Sequence, residues 1–427
     1  MDPALLAAVA GVLLAFAAIS GKAERGVLTA PMAFVAAGFL LSDQGVGVLS
    51  FEIEGGVVHG LAELTLVLVL FTDASRIDLA CVRREGGIPL RLLAFGMPLT
   101  LVAGALAAVA LLPGLRPVDA LLLSAILTPT DAALGQAVVT SSRIPVRIRQ
   151  ALNVESGLND GIALPLVLVL ASLAGATEAE GGPAFWLRFA ALQLTLGPLV
   201  GAAVGGLGGR LLERGALAGW VSPPFQRLSG LGLALLAFAG AEVVGGNGFI
   251  AAFVAGLALG NVARGICPRI HDFGEAEGQL LALLVFLVFG GLVVPAALPH
   301  VDAEVVLYAV ASLTVVRMLP VALALMGSGL LPSTVAFLGW FGPRGLASIL
   351  FAMIVVEEGR LADGARVEAI VTLTVLLSTL LHGMSAQPLA GMYARRIAAR
   401  RARAHVEHAP VVEHPVRHRA HQGRDSL

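Results

Sequence analysis

The chain has 427 residues, of which 57% are hydrophobic and 13% are charged, and its formal net charge is −1. A soluble domain carries roughly 25% charged residues, so this composition excludes an ordinary soluble protein, and we expect no nucleic-acid partner. The two cysteines, Cys81 and Cys267, have neither the number nor the spacing of a disulfide framework or a metal site. Long apolar stretches alternate with short polar connectors, which predicts an all-α, polytopic protein embedded in a lipid bilayer.

The apolar stretches predict about thirteen transmembrane helices, since roughly 20 helical residues cross a bilayer. No basic residue precedes the first stretch, which favours a retained helix over a cleaved signal peptide. In chain order the predicted helices cover residues 3–20, 27–41, 57–72, 91–112, 118–139, 151–173, 189–211, 225–244, 247–262, 279–298, 303–326, 333–356 and 367–390.

Basic residues are unevenly distributed among the connectors between these helices. Fourteen of the 28 Lys and Arg side chains lie in odd-numbered connectors, and four lie in even-numbered ones. Cytoplasmic loops of membrane proteins carry an excess of Lys and Arg. We therefore expect a protein of the cell (inner) membrane, with the amino terminus outside and the odd connectors and carboxyl terminus in the cytoplasm.

Acidic residues outnumber basic ones within the predicted helices. The basic residues there are Arg317 and Arg344. A charge in the bilayer core is costly and normally faces a partner or a water-filled cavity. The excess acids must therefore be protonated or bind a cation from solution. The acids inside or at the edge of predicted helices are Glu63, Asp73, Asp131, Glu155, Asp160 and Glu242.

Asp131 follows a predicted break in the fifth helix. Pro129 lacks an amide donor and disfavours helix at Thr128, so the helix is expected to end or kink there. A break frees carbonyl oxygens beside the carboxylate, and oxygen ligands are what a hard cation prefers. The structural alternative is a tolerated proline kink with a hydrogen-bonded Asp131.

The sixth helix carries a dense polar run over residues 153–161. Ser156 and Asp160 lie four residues apart and share one helix face, next to the face of Asn159. Glu155 points about 140° away from Asp160 by the same geometry. One helix can therefore present Ser156 and Asp160 to an ion while it directs Glu155 elsewhere.

A second interruption, Gly342-Pro343-Arg344-Gly345, lies in the twelfth helix. If the seventh helix is a linker, the two broken helices occupy equivalent positions in two inverted six-helix repeats, which is typical of a transporter site. A snorkelling or structural Arg344 is the alternative. Arg317 has no acid nearby in sequence, so we expect it to pair with Glu155 in a structural ion pair.

Two features remain open at this point. Asp73 could line a cation pathway or form an ion pair with Arg76 at the membrane interface. Residues 391–427 are rich in Arg and His and are predicted to form a disordered cytoplasmic tail. A basic tail near anionic lipid is preferred there over a metal site or a pH sensor.

Several motifs together resemble the cation:proton antiporter superfamily, specifically its electroneutral sodium/proton exchanger (NhaP-like) branch. The resemblance covers nearly the whole chain, and its most specific part is the Asn-Asp pair. One departure is Ala132, where many relatives have proline. The motifs are Thr130-Asp131, Glu-Ser-x-x-Asn-Asp from Glu155 to Asp160, Pro343-Arg344-Gly345, Leu381-His382-Gly383 and the stretch from Asn247 to Ala251.

The resemblance implies a role for each matched residue. Asp160 would be the main carboxylate for cation and proton, with Asp131 as its companion and with oxygens from Thr130 and Ser156. Asn159, in place of a second aspartate, is the feature of the electroneutral branch.

The resemblance also implies the arrangement of the parts. Glu155 would pair with Arg317, and Arg344 would offset helix-end charge. Residues 91–173 and 303–390 would form a moving core, and residues 1–90 and 189–298 a scaffold that forms a homodimer. The whole antiporter domain would cover residues 1–390.

The sequence-based hypothesis is therefore a secondary antiporter that exchanges sodium or lithium for protons, without a cofactor. Lys22 is the only lysine and is followed by Ala23, so the chain has no P-loop for ATP. A potassium/proton exchanger on the same site is the nearest alternative. An intramembrane aspartyl protease is a less favoured alternative, because the two aspartates here do not lie in the Tyr-Asp and Gly-x-Gly-Asp motifs expected of that class. A channel or a sensor would leave the excess of buried acids unexplained.

Overall fold

The computed structural model describes residues 3–23, 26–45, 55–85, 87–132, 134–175, 183–357, 363–400 and 406–409. All regular secondary structure in these ranges is helical, which confirms the predicted all-α class.

The first half of the chain contains helices α1 (Pro3–Ala23), α2 (Ala30–Leu41), α3 (Gly55–Ser75), α4 (Leu79–Glu85), α5 (Gly87–Arg91), α6 (Met97–Leu111), α7 (Pro117–Leu127), α8 (Gln136–Val139), α9 (Val146–Ala174), α10 (Pro183–Ala203) and α11 (Gly209–Leu217). The second half contains α12 (Pro223–Val243), α13 (Gly248–Val262), α14 (Cys267–Val288), α15 (Val294–Ala297), α16 (Ala303–Leu313), α17 (Val315–Ala324), α18 (Pro332–Trp340), α19 (Leu346–Glu357) and α20 (Gly364–Ala399). Single π-helical turns at Leu92–Gly96, Val204–Gly208 and Phe289–Val293 join consecutive helices without a loop.

Eight helices in the described ranges are long and apolar enough to cross a membrane, and four shorter helices are also apolar. The eight stretches are Leu6–Ala23, Val58–Ser75, Gly87–Leu111, Val146–Ala174, Ala191–Leu217, Cys267–His300, Ala303–Ala324 and Gly364–Ala399. The chain is thus a multi-pass membrane protein. The count of thirteen crossings, the inverted repeats and the orientation stay predictions.

Several helices are longer than the hydropathy pattern predicts, among them α14 and α20. α14 begins at Cys267 instead of residue 279, and α20 ends at Ala399 instead of residue 390. The added residues 267–278 of α14 form about three turns and include several charged side chains. Among them, Glu275 pairs with Arg76 at 3.1 Å. Such amphipathic ends have low hydropathy although they pack against the rest of the protein.

The predicted disorder of residues 391–427 is wrong for the parts that the structure describes. Residues 391–399 continue α20, where buried Tyr393 stacks on Phe337 with ring centroids 4.1 Å apart. Residues 406–409 also dock: buried Glu407 accepts hydrogen bonds from the Leu331 amide at 2.8 Å and the Thr334 hydroxyl at 2.9 Å. His408 is exposed. The other tail histidines, His405, His414, His418 and His421, lie outside the described residues.

The helices pack in two groups that contact each other. α3 lies along α13, and α13 also contacts α10. The close approach of α3 and α13 depends on glycine, because a Cβ at Gly256 or Gly260 would overlap carbonyl oxygens of α3. α7 packs between α6 and α9, while α16, α18 and α19 contact α20. α3 meets the second group through α9 and α19. The division into a moving core and a dimerising scaffold stays a prediction.

Glu407→Ala should lower the stability of the solubilised protein by roughly 1–3 kcal/mol, because it removes the acceptor of two buried hydrogen bonds. His408→Ala changes the exposed neighbour and is the matched control. Thermal unfolding in detergent should show a lower Tm for the first variant alone; equal Tm values would mean that the docked segment contributes no stability.

Candidate functional site

The two predicted helix breaks are present and bond directly to each other. α7 ends at Leu127 and α18 at Trp340, and non-helical chain follows each. The Asp131 amide donates to the Pro343 carbonyl at 2.8 Å. The Asp131 carboxylate accepts from the Leu346 amide at 3.1 Å. One residue of the first break therefore satisfies a donor and an acceptor of the second.

The Asp131 carboxylate lies at the amino-terminal end of α19. Helix amino termini present unsatisfied N–H groups and a partial positive charge, so they favour an anion. The approach requires glycine, since a Cβ at Gly345 would overlap the Asp131 carboxylate. The break thus positions a negative charge where backbone donors can stabilise it.

α9 holds the first break from the opposite side. The Ser156 hydroxyl donates to the Thr130 carbonyl at 2.8 Å and accepts from the Ala132 amide at 2.9 Å. The Asn159 amide donates to the Thr130 hydroxyl at 2.7 Å. Ser156 therefore keeps one lone pair for an ion, since its proton and its other lone pair are used.

A cleft of about 820 Å³, counted with the open solvent at its mouth, brings the predicted ion ligands together. Asp131, Asp160, Ser156 and Asp73 all line it. Thr130 and Asn159 do not line this cleft, and the Asn159 amide donates to the Thr130 hydroxyl. The lining residues are Leu66, Val69, Asp73, Arg76, Ile77, Asp78, Val82, Asp131, Ala132, Gln150, Asn153, Val154, Ser156, Gly157, Asp160, Leu346, Ala347 and Leu350.

Charged pairs surround the end of the cleft beyond Asp73. Arg76 lies 3.1 Å from Glu275 of α14, and Arg264 lies 3.2 Å from Asp78. From the sequence, Asp73 could either form an ion pair with Arg76 or line a cation pathway. The structure puts its side chain in the cleft wall and gives Arg76 an acid from another helix.

The expected contact between Glu155 and Arg317 is present. Arg317 Nη2 lies 2.6 Å from Glu155 Oε1, and both side chains are at most 3% exposed. The guanidinium packs so closely on the second break that a Cβ at Gly342 would overlap it. This pair therefore connects α9 and α17 beside the second break.

Arg344 is fully buried within the second break. Its amide donates to the Ser378 hydroxyl at 2.7 Å, and its Nη1 donates to the Gly342 carbonyl at 3.0 Å. In the described part of the chain, its Nε and Nη2 have no hydrogen-bond partner. Glu155 and Arg317 are among the charges that act on it. Because those two cancel, they add no net charge, and Arg344 is a further buried positive charge in the second break.

Sequence reasoning missed two groups that complete the site. One is the Leu346 main-chain amide, which no side-chain pattern indicates. The other is His382, which the sequence identified only as part of a family motif. Ser378 and His382 are four residues apart on an apolar helix, and that polar pair on one face was the available signal.

The chain is similar to known antiporters. A family model described as sodium/hydrogen exchanger, transmembrane, matches residues 8–391. The chain is 28% identical over 385 residues to the K(+)/H(+) antiporter NhaP2 of Shewanella sp. (strain MR-4), covering 90% of this chain and 64% of that protein. It is 28% identical over 362 residues to the K(+)/H(+) antiporter NhaP of Alkalimonas amylolytica, covering 84% and 61%. The chain thus spans less than two thirds of the length of these relatives.

The fold is similar to a solved structure of the sodium proton antiporter MjNhaP1 from Methanocaldococcus jannaschii. That structure, at pH 8, has a TM-score of 0.74 and 20% sequence identity, and the match covers 92% of this chain and 99% of that one. At this identity the likeness shows the fold alone, an all-helical antiporter fold.

Glu155→Ala should destabilise the protein by roughly 3–5 kcal/mol, because it leaves the buried Arg317 guanidinium without its carboxylate. The double variant Glu155→Leu with Arg317→Met removes both charges and should recover most of that loss. Thermal unfolding in detergent compares the two. A double variant as unstable as the single one would show that burial of the lone charge is not the cause.

Proposed function

Because the chain belongs to the sodium/hydrogen exchanger family, we propose that it exchanges sodium or lithium for protons by alternating access. The single observation that carries this proposal is that Asp131 and Asp160 line one cleft at the crossing of two broken helices. Members of this family are transporters, so the intramembrane protease considered from the sequence has no support.

The charges at the site favour a monovalent cargo. Glu155 and Arg317 neutralise each other. Asp131 and Asp160 are the carboxylates of the cleft that we assign to the cargo, and Asp73 lies on the approach to them. Because an ionised carboxylate carries one negative charge, either a proton or one monovalent cation neutralises it. Exchange would then proceed one for one, without net charge movement.

Coupling follows from the cost of moving a bare charge. An unpaired carboxylate pays a large desolvation penalty in a low-dielectric barrier, whereas a protonated or cation-bound site does not. The occupied site can change its exposure to the two sides and the empty site rarely does. Asp160 and Asp131 would bind the cargo, with Ser156 supplying its remaining lone pair and Asp73 lying on the approach.

The position of the cleft supports an inward-facing arrangement. The cleft extends from the two aspartates to Arg76 and Asp78, in the third connector, which the basic-residue distribution assigns to the cytoplasm. Beyond the site in the other direction, α7 presents fully buried apolar side chains such as Leu123 and Ile126. We also propose a homodimer formed through residues 1–90 and 189–298, in the cell membrane with the carboxyl terminus cytoplasmic.

Potassium is the second candidate cation, because the two relatives described above are named K(+)/H(+) antiporters. The same carboxylate site would serve either ion. The oxygen positions that separate sodium from potassium differ by tenths of an ångström, so selectivity is a question for transport measurements.

Asp160→Asn should abolish exchange in proteoliposomes that contain a pH-sensitive dye, while the protein still inserts. The neutral amide cannot alternate between a proton and a cation. Asp363→Asn, the same change at the amino-terminal cap of α20, is the matched control and should exchange normally. Sodium, lithium and potassium are compared in the same vesicles. Persistent exchange by Asp160→Asn would remove this residue from the mechanism.

Turnover should be independent of membrane voltage, since one charge moves in each direction. Valinomycin and potassium gradients set the voltage in sodium-driven assays. A proton flux that rises or reverses with the imposed voltage would instead indicate an electrogenic exchanger.

A further inference from the structure

His382 lies on α20, beside the second helix break. Its side chain is buried, with 1% of the residue exposed. Nε2 lies 2.9 Å from the Trp340 carbonyl oxygen, and Nδ1 lies 3.3 Å from the Ser378 hydroxyl and 3.0 Å from the Ser378 carbonyl. The imidazole also stacks on the Trp340 indole, with centroids 4.8 Å apart.

A neutral imidazole with its proton on Nε2 joins these groups in one series of hydrogen bonds, and the Ser378 carbonyl 3.0 Å from Nδ1 then receives no proton from the ring. The Arg344 amide donates to the Ser378 hydroxyl oxygen. That hydroxyl can then donate to Nδ1 of His382, and the Nε2 proton goes to the Trp340 carbonyl. The result is a continuous chain of hydrogen bonds from Arg344 to Trp340, with His382 and Ser378 as its middle members.

The hydrogen bonds of His382 help to satisfy carbonyl groups that the second helix break releases. At membrane depth, main-chain groups released by a break must find partners within the protein. The Gly342 carbonyl accepts from Arg344 Nη1, and the Pro343 carbonyl accepts from the Asp131 amide. His382 supplies the side-chain donor for Trp340, the last residue of α18. α20 thus holds the break on one side and Asp131 holds it on the other.

We propose that His382 is a positioning residue of the exchange site, an inference that rests on the proposed function. Through Trp340 and Ser378 it holds residues 341–345 so that the Leu346 amide and the Pro343 carbonyl meet Asp131. Loss of the imidazole removes the side-chain donor of the Trp340 carbonyl, which keeps the Gly342 amide at 2.8 Å, and loosens the end of α18. Asp131 then loses its orientation toward the cleft.

The charged groups that act on His382 are cations. Arg344, from the break, and Arg317, from α17, are the cations that act on it. Glu155 is already paired with Arg317. Where α20 meets the start of α2, at Gly383, the contacts are with Thr29 and Met32, which do not ionise. A proton on His382 would add a positive charge beside Arg344, so we assign His382 a hydrogen-bonding role and not that of a proton carrier.

The test compares three variants in proteoliposomes with the wild-type protein. His382→Gln keeps a donor and an acceptor that can reach the same partners, and it should retain the wild-type exchange rate and pH profile. His382→Leu should lower the maximal rate by roughly 10- to 100-fold with little change in KM for the cation, because the site is misplaced but keeps its ligands. Ser385→Ala removes the Trp340 indole hydrogen bond to α20; it is the matched control and should exchange normally.

Amide hydrogen exchange of residues 341–346 gives a readout that does not need transport. Protection should fall in His382→Leu and stay in His382→Gln and Ser385→Ala. Wild-type rate and protection in His382→Leu would overturn the inference, as would a shifted pH profile in His382→Gln, which would make the histidine a proton carrier. A wild-type protein that exchanges no cation would refute the proposed function, and the protection data would still decide whether His382 positions the break.

Discussion

The site depends on one constraint: two helices are interrupted within the membrane, and their free main-chain groups must be satisfied by protein. The structure meets it by bonding one break to the other. The Asp131 amide donates to Pro343, and its carboxylate accepts from Leu346. The residue that joins the breaks is therefore also a candidate ion ligand. A change in ion occupancy at Asp131 would act directly on the contact between the two helices.

The buried ion pair and the buried arginine are separate from the two aspartates that we propose to bind cargo. The buried Glu155–Arg317 pair connects helices and contributes no net charge. Arg344 lies within the second break, bonded to the Gly342 carbonyl, and does not line the cleft. Ser156 fastens the first break and still has a lone pair for an ion. A rigid support of this kind can surround a site whose occupant would change during the proposed exchange.

The sequence predicted the features that depend on local chemistry. Pro129 and Pro343 predicted both breaks, and a buried arginine without a nearby acid predicted the contact of Arg317 with Glu155. Contacts set by the crossing of distant helices were not predictable, such as the Leu346 amide on Asp131 and the Thr130 hydroxyl on Asn159. The docking of Glu407 was missed because a charged tail has the composition of a disordered segment.

The central claim is that a proton and a cation compete for the same carboxylates. Proton release on cation binding tests it directly, in weakly buffered, detergent-solubilised protein with the site protonated beforehand. We predict that each bound cation releases close to one proton and that the Asp160→Asn variant releases none. Saturable cation binding without proton release by the wild-type protein would contradict the account.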